Sequence, residues 1–177
     1  SQIHRNYLSN LEIPCSIKND MKGDIEVAVQ GISMINKKHI FLNINNNGIV
    51  EKFESKGNFN NSIILRGSLL NGPNYEKNFI ETTDNLFKKY DLNKYVIIDC
   101  SHGNSQKNYK NQLSVIENII EQKKDNNTLI IGIMIESFIN EGNQPISNSL
   151  NYGISITDSC ISLKDTTFCL NKLYLNI

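Results

Sequence analysis

Short runs of apolar residues, many of them isoleucine, alternate along this chain with stretches that have a helical apolar period. The apolar runs predict strands at residues 12–17, 40–44, 62–65, 95–99 and 129–135. The other stretches predict helices at residues 24–36, 75–90, 105–124 and 165–175. Strands that are nearly all apolar, each followed by a helix, are typical of a parallel sheet covered on both faces. The pattern therefore predicts an α/β fold, either a doubly wound open sheet or a piece of a (β/α)8 barrel.

The predicted helix at residues 105–124 shows the apolar period most clearly. Its apolar side chains recur at steps of three and four residues and share one helical face: Tyr109, Leu113, Ile116, Ile119 and Ile120. Asp24 and Asp165 are the predicted N-caps of their helices. Turn residues at 45–48 and 56–61 indicate that residues 40–44 and 50–55 form a β-hairpin inserted between two strand–helix units.

Charge and composition argue against several classes of function. The chain has 18 basic and 18 acidic residues, so it has no electrostatic reason to bind a nucleic acid or a membrane surface. Its longest apolar stretch, residues 129–135, is far shorter than the roughly 20 residues that span a bilayer, and a cytoplasmic protein is expected. The four cysteines are scattered and do not indicate a disulfide framework. No glycine-rich nucleotide motif and no GxSxG serine motif occurs.

Ionisable side chains follow five successive apolar runs of the sequence. These side chains are Lys18, Arg66, His102, Glu136 and Asp158, the last of which follows the run 155–157. The carboxyl ends of parallel strands meet at one face of a barrel or one edge of an open sheet, and binding sites form there. His102, Glu136 and Asp158 offer the nitrogen and oxygen donors that suit a divalent metal. Lys18 and Arg66 suit a phosphate or a carboxylate.

Each of these residues also has an ordinary structural interpretation. His102 could bond a backbone group in a loop, and Asp158 could cap a turn or a helix. Arg66 could belong to a structural ion pair, and Lys18 could be one surface lysine among many. Glu136 is the hardest to explain in this way, because an unpaired carboxylate next to a run of apolar residues is costly. The recurrence of such residues after successive runs favours one shared site.

Several segments of the chain, in order along nearly its whole length, match a known family. They are SQIHR at 1–5, PCSIKN at 14–19, IILRG at 63–67, GPNY at 72–75, IDCSHGNS at 98–105, GIMIES at 132–137, EGNQ at 141–144 and YGISITD at 152–158. Together they resemble class I 3-deoxy-D-arabino-heptulosonate 7-phosphate (DAHP) synthase, a phospho-2-dehydro-3-deoxyheptonate aldolase. The segments around His102 and Glu136 resemble the tryptophan-sensitive form more than the phenylalanine-sensitive form.

The resemblance implies a fold and a reaction. The implied fold is a (β/α)8 barrel of which this chain supplies about strands five to eight, as a single domain over residues 1–177 without the N-terminal half. The implied reaction condenses phosphoenolpyruvate with D-erythrose 4-phosphate and water to give DAHP and phosphate. This is the first step of the shikimate pathway, which leads to chorismate and the aromatic amino acids. A homo-oligomer, dimer or tetramer, is implied for the complete protein.

The resemblance also implies roles for residues. His102, Glu136 and Asp158 correspond to three of four ligands of a divalent metal, which would be Mn, Fe, Co or Zn. Lys18, Arg66, His102 and Asp158 correspond to substrate-binding residues, and Lys18 and His102 are the predicted catalytic residues. The family's fourth ligand, a cysteine, and its Lys-Pro-Arg-Thr block have no counterpart in these 177 residues. The chain alone is therefore expected to be inactive and poorly stable.

Cys15, Ser1 and Lys56 correspond to family positions outside the main site. Cys15 lies in a segment that superficially resembles the family's metal-binding cysteine block, but residues 1–5 align this segment with the fifth strand, so Cys15 is not expected to bind the metal. Ser1 aligns with a position of the aromatic amino acid effector site. Lys56 stands where the family often has a serine at that site, which argues against feedback control. Two alternative functions remain: a non-catalytic remnant of such an enzyme, and another metal-dependent sugar-phosphate aldolase on a similar barrel.

Overall fold

Helices and strands alternate along the part of the chain that the computed structural model describes, residues 2–176. The elements in chain order are α1 (Gln2–Asn10), β1 (Cys15–Lys18), α2 (Ile25–Ile35), β2 (Ile40–Ile44), β3 (Val50–Glu54), β4 (Asn61–Leu65), α3 (Lys77–Lys89), β5 (Val96–Asp99), α4 (Asn111–Lys124), β6 (Ile130–Met134), β7 (Ser137–Phe138), β8 (Ile161–Ser162) and α5 (Leu163–Tyr174). This mixture of helices with mostly parallel strands confirms the predicted α/β class.

A four-stranded parallel sheet in the order β1-β4-β5-β6 forms the centre of the fold. β4 pairs with β1 on one side and with β5 on the other, and all five of its residues are buried. Its apolar sequence fits this position, because a central strand of a parallel sheet contacts other residues on both faces. The predicted strands of this sheet are confirmed, with ends that differ from the observed ones by up to three residues.

Helices α2, α3 and α4 contribute to a core with one face of this sheet. Ile63 of β4 and Ile98 of β5 belong to the same buried cluster as Ile32 of α2, Phe87 of α3 and Ile116 of α4. Each of these side chains is at most 1% exposed, and burying one such side chain contributes about 1.5–3 kcal/mol. The amphipathic face predicted for α4 therefore faces the sheet. Within residues 2–176, every helix is too short or too polar to cross a bilayer.

The opposite face of the sheet is open. Ile97 of β5 and Ile131 of β6 line a cavity of about 390 Å³ there, and Ile131 is 56% exposed. Within residues 2–176, β1 and β6 each have a strand neighbour on one side only. A parallel sheet with one face covered by helices and one apolar face left open is consistent with part of a barrel, in which the open face would be the interior.

The predicted hairpin between α2 and β4 is confirmed. β2 and β3 pair in antiparallel register from Ile40 opposite Glu54 to Ile44 opposite Val50. Phe41 and Phe53, which face each other across the hairpin, bring their ring centroids to 5.3 Å. The turn closes with a bond from Gly48 N–H to the carbonyl of Asn45, and Gly48 has a φ of 78°, a conformation that glycine adopts without strain.

Two predictions about helix starts are wrong. The helix predicted at 105–124 begins only at Asn111, because Gln106 and Lys107 have φ angles of 54° and 58° that no α-helix accommodates. Asp165 is not the N-cap of α5. Ser162 is the cap, and its Oγ accepts a bond from Asp165 N–H at 3.1 Å. The predicted cap Asp24 is confirmed, since its carboxylate accepts from Val27 N–H.

Two loops at the carboxyl ends of neighbouring strands touch backbone to backbone. Gly67, just after β4, meets Gly103, in the loop after β5, so closely that a Cβ on Gly103 would overlap the backbone of Gly67 and Ser68. Gly103 itself has no positive φ, so this close approach alone requires the missing side chain. The contact fixes the positions of Arg66 and His102, which adjoin these glycines.

We expect Gly103→Ala to lower the free energy of unfolding by about 1–3 kcal/mol, the usual cost of forcing an atom into a packed site. Gly132→Ala is the matched control, because an added Cβ there meets only Ile97 Cγ1 at 3.8 Å, an ordinary contact. Urea unfolding followed by circular dichroism measures both variants. Equal unfolding midpoints for the two would contradict the inferred contact between the loops.

Candidate functional site

Polar side chains collect at the carboxyl edge of the parallel sheet. Lys18 is the last residue of β1, Arg66 directly follows β4, His102 comes three residues after β5, and Glu136 comes two residues after β6. The strands are parallel, so these positions lie at the same edge. The expected sequence of polar residues after consecutive strands is observed for these four.

The prediction that Asp158 follows a strand is wrong. Residues 155–157 form no strand, and Ser155 makes only an isolated bridge with Asn143. Thr157 N–H donates to Ser155 Oγ at 3.2 Å, a local bond that competes with strand pairing. Asp158 lies instead in the loop that precedes β8, and β8 pairs with β7 in a small separate sheet. This loop nevertheless carries Asp158 to the carboxyl edge of the main sheet.

His102, Glu136 and Asp158 come together as a cluster of donor atoms. One atom from each residue lies within 4.8 Å of the other two. The imidazole Nε2 of His102 is 3.4 Å from Glu136 Oε1 and 3.8 Å from Asp158 Oδ2. The His102 and Glu136 side chains are each 23% exposed and Asp158 is 65% exposed. One imidazole nitrogen and two carboxylate oxygens at these separations fit a divalent transition metal.

The loop after β5 holds His102 in an uncommon backbone conformation. The φ of His102 is 52°, in the left-handed region. Its carbonyl accepts a bond from Lys107 N–H at 2.9 Å, and Ser105 N–H donates to the carbonyl of Ser101 at 3.2 Å. Non-glycine residues in this region are often found at functional sites, where the surrounding structure compensates the strain. Here the tight loop directs the imidazole into the cluster.

Glu136 is held through both its backbone and its side chain. Gln112, a fully buried residue of α4, accepts from Glu136 N–H at 2.9 Å and donates to the Glu136 carbonyl at 3.1 Å. Ser101 Oγ donates to Glu136 Oε2 at 2.7 Å. The second carboxylate oxygen, Oε1, faces His102. The side chain therefore has one oxygen bound by the protein and one available to a cation.

Asp99 is a site residue that the sequence analysis missed. Its side chain is only 1% exposed, and its Oδ1 accepts from Ser101 N–H at 3.0 Å. Its Oδ2 is 2.7 Å from Lys18 Nζ and 3.0 Å from His102 Nδ1. The signal in the sequence was a carboxylate at the last position of an apolar strand. At a solvent-exposed strand end such a residue is common, but a buried carboxylate needs partners that stabilise its charge.

Lys18 and Arg66 lie at the ends of neighbouring strands, as predicted for an anion site. The Lys18 side chain is 33% exposed, and its Nζ is paired with Asp99. The backbone N–H of Arg66 donates to Asn19 Oδ1 at 2.8 Å. Within residues 2–176, the Arg66 guanidinium forms no ion pair, which argues against the structural ion pair considered for it. Its charge is available to an external phosphate or carboxylate.

Three buried asparagines, Asn19, Asn74 and Asn104, form hydrogen bonds between the loops that carry these residues. Asn74 Oδ1 accepts from Gly67 N–H at 2.7 Å, and Asn74 Nδ2 donates to Asn19 Oδ1 at 3.2 Å. Asn104 Oδ1 accepts from Asn74 N–H at 2.8 Å, and its Nδ2 donates to the carbonyls of Leu65 and Asp99. Asparagine is so common in this chain that the sequence offered no way to separate these three from asparagines in solvated loops.

Cys15 and Cys160 lie outside the cluster of donor atoms found within residues 2–176. Cys15 is the first residue of β1, at the opposite end of the strand from Lys18, and burial raises the pKa of its thiol. Burial also raises the pKa of Cys160, and the Glu136 and Asp158 carboxylates raise it further. A metal binds thiolate rather than thiol, so a raised pKa disfavours coordination.

The structure gives little information about the two positions considered for an effector site, Ser1 and Lys56. Lys56 lies two residues beyond β3, its side chain is 90% exposed, and its Nζ is 3.9 Å from the exposed Glu12 carboxylate. An exposed pair at this distance contributes little to stability. Ser1 lies outside the residues that the structure describes. The assignment of these residues to an effector site remains a prediction.

The sequence is similar to known proteins along almost its whole length. Residues 1–171 match the DAHP synthetase I family. The chain is 39% identical over 175 residues to the Trp-sensitive phospho-2-dehydro-3-deoxyheptonate aldolase of Escherichia coli K12, covering 98% of this chain and 50% of that protein. It is 38% identical over 179 residues to the tyrosine-inhibited enzyme of Schizosaccharomyces pombe, covering 98% of this chain and 48% of that protein.

The fold agrees with these sequence matches. A structure of phospho-2-dehydro-3-deoxyheptonate aldolase from Francisella tularensis superposes with a TM-score of 0.93 at 40% identity, over 100% of this chain and 52% of that one. The chain thus spans about half the length of the relatives that it matches. With the family match over nearly all of its residues, the chain belongs to the DAHP synthetase I family.

Proposed function

We propose that this chain is the C-terminal half of a (β/α)8 barrel, a single domain over residues 1–177 that contributes barrel strands five to eight. The four parallel strands β1, β4, β5 and β6, in chain order, support this proposal. So does the open apolar face, since four strands cannot close a barrel. In the complete protein, four further strands would pair with the free edges of β1 and β6.

We further propose that the complete protein is DAHP synthase, which joins phosphoenolpyruvate to D-erythrose 4-phosphate and releases phosphate. The observation that carries this proposal is the cluster of His102, Glu136 and Asp158 at the carboxyl edge of the sheet. The cluster lies where barrel enzymes hold their active sites, and the chain belongs to a family named for this reaction. Cytoplasmic location, the dimer or tetramer and the absence of nucleic-acid or membrane partners are parts of the same proposal.

The residues divide between two tasks. His102, Glu136 and Asp158 would hold a divalent ion, with Mn, Fe, Co and Zn all compatible with these donors. When bound, such an ion polarises an aldehyde oxygen or lowers the pKa of a water molecule. Arg66 would bind the phosphate or carboxylate of phosphoenolpyruvate with its two-pronged guanidinium. Lys18 would add a second positive charge and help to orient the enol, because positioning supplies much of the rate enhancement.

Two other functions compete with this proposal. A non-catalytic remnant would keep the fold without turnover, and another metal-dependent aldolase would accept a different sugar phosphate. The coding sequence upstream of Ser1 distinguishes the first. An open frame that encodes the family's metal-binding cysteine block and its Lys-Pro-Arg-Thr block supports an enzyme, whereas stop codons there support a remnant. Substrate profiling of the complete protein distinguishes the second.

We expect His102→Ala to abolish measurable binding of Mn²⁺, because it removes the only nitrogen donor of the cluster within residues 2–176. Isothermal titration calorimetry with MnCl₂ on the chelator-treated complete protein measures this. Cys15→Ala is the control, since Cys15 lies at the far end of β1 and its Mn²⁺ affinity should equal that of the parent. Loss of binding in Cys15→Ala but not in His102→Ala would mean that the metal ligands have been assigned wrongly.

In the complete protein, we expect Arg66→Lys to lower kcat/KM for phosphoenolpyruvate at least tenfold, about 1.4 kcal/mol of transition-state stabilisation. Lysine keeps the charge but cannot form two parallel bonds to an anion. The assay is phosphate release that depends on erythrose 4-phosphate. Lys56→Ala, at an exposed position, should leave this rate unchanged. The 177-residue chain alone should release no phosphate. Turnover with a different aldehyde only would favour the other aldolase.

A further inference from the structure

One buried carboxylate contacts both halves of the candidate site. Asp99 ends β5, its side chain is 1% exposed, and two donors and the Nδ1 atom of His102 converge on it. Ser101 N–H donates to Oδ1 at 3.0 Å, while Lys18 Nζ and His102 Nδ1 lie 2.7 Å and 3.0 Å from Oδ2. Lys18 belongs to the proposed anion site and His102 to the proposed metal site.

Such a carboxylate decides which nitrogen of the imidazole carries the proton. His102 Nδ1 is buried and, within residues 2–176, has no partner other than Asp99 at hydrogen-bond distance. Its N–H does not yet point squarely at Oδ2, an alignment that often improves only in the bound state of a site. A proton on Nδ1 leaves the lone pair on Nε2, the nitrogen that faces Glu136 and Asp158. Only that tautomer can donate electrons to a cation in the cluster.

Lys18 is the cation that partners Asp99. A carboxylate buried to this extent is costly unless a cation is near, and Lys18 Nζ at 2.7 Å is that cation. Lys18 therefore acts on His102 through Asp99 as well as facing the proposed anion site. The proposed anion site and the proposed metal site are thus connected by consecutive contacts from Lys18 to Asp99 and from Asp99 to His102.

We propose that Asp99 is a positioning residue that sets the tautomer of His102 and, through Lys18, couples the metal site to the anion site. This inference rests on the proposed metal-binding function. Asparagine at this position cannot take over the role. It has one acceptor oxygen for three donors, so its amide NH₂ must face Lys18 and His102 or else Ser101 N–H. In the first orientation His102 Nδ1 faces a donor and must accept, which is the other tautomer. In the second, the amide NH₂ faces the Ser101 N–H, another donor, and only a neutral oxygen is left for Lys18 and His102.

The test compares Mn²⁺ affinity by calorimetry in the complete protein and in its Asp99→Asn, Lys18→Met and double variants. We expect Asp99→Asn to weaken Mn²⁺ binding about 10–100-fold, the usual effect of removing a partner of a metal-bound imidazole. Lys18→Met should weaken it less. In the Asp99→Asn background, Lys18→Met should cause no further loss, because both act on the same path.

Val115→Ala is the matched control for a general loss of stability. Val115 is 1% exposed, lies in α4 and belongs to the core cluster, not to the site. A variant that weakens folding without reaching the site should keep the Mn²⁺ affinity of the parent. Equal losses of affinity in Val115→Ala and Asp99→Asn would overturn the proposal, as would additive effects of Lys18→Met and Asp99→Asn.

A second measurement needs no metal. ¹⁵N-histidine NMR of the complete protein in mildly alkaline buffer, where imidazole is ordinarily neutral, reports the tautomer of each ring, and the His102 signal is the one absent from the spectrum of His102→Ala. We expect the metal-free parent to carry the His102 proton on Nδ1 and Asp99→Asn to shift it toward Nε2. A proton on Nε2 in the parent refutes the role of Asp99. If the parent shows the expected tautomer but binds no Mn²⁺, the proposed metal-dependent function fails while the assignment of Asp99 stands.

Discussion

The parallel pairing of β1, β4, β5 and β6 is the constraint on which the rest of the site depends. Parallel strands all end at the same edge, so residues far apart in the chain, such as Lys18 and Glu136, reach one place without any local signal for it. The pairing is stabilised by apolar side chains such as Ile63 and Ile98, which are fully buried against the helices. Burial in the core thus determines where the polar chemistry can be.

Burying polar groups at this edge costs free energy unless they are hydrogen-bonded, and a second set of polar residues provides those hydrogen bonds. Buried amides and carboxylates need hydrogen-bond partners. Asn74 and Asn104 bond the loop backbones, and Gln112 brackets Glu136 through both of its backbone groups. None of these side chains is proposed to touch a substrate. Their effect is to fix the backbone from which His102 and Glu136 project, which is how a site keeps its geometry without relying on flexible loops.

Sequence reasoning went furthest where one physical signal dominates. Continuous apolar runs such as residues 63–65 predicted buried strands, and the polar residues after four of the five runs lie at one edge of the sheet. It failed where the outcome depends on non-local partners or on backbone angles. Asp99 looks like an ordinary strand end until Lys18 is placed beside it. The late start of α4 follows from left-handed angles at Gln106 and Lys107, which side-chain periodicity does not record.

The uneven burial of the three donor residues affects how fast an ion would exchange. Ser101 and Gln112 restrain Glu136, and the tight turn after β5 restrains His102, whereas Asp158 projects from an exposed loop with most of its carboxylate in water. If the three residues hold an ion, Asp158 would be the ligand that solvent can reach and replace most easily. The residence time of a cation would then depend on the mobility of the loop before β8 more than on the rigidity of the parallel sheet.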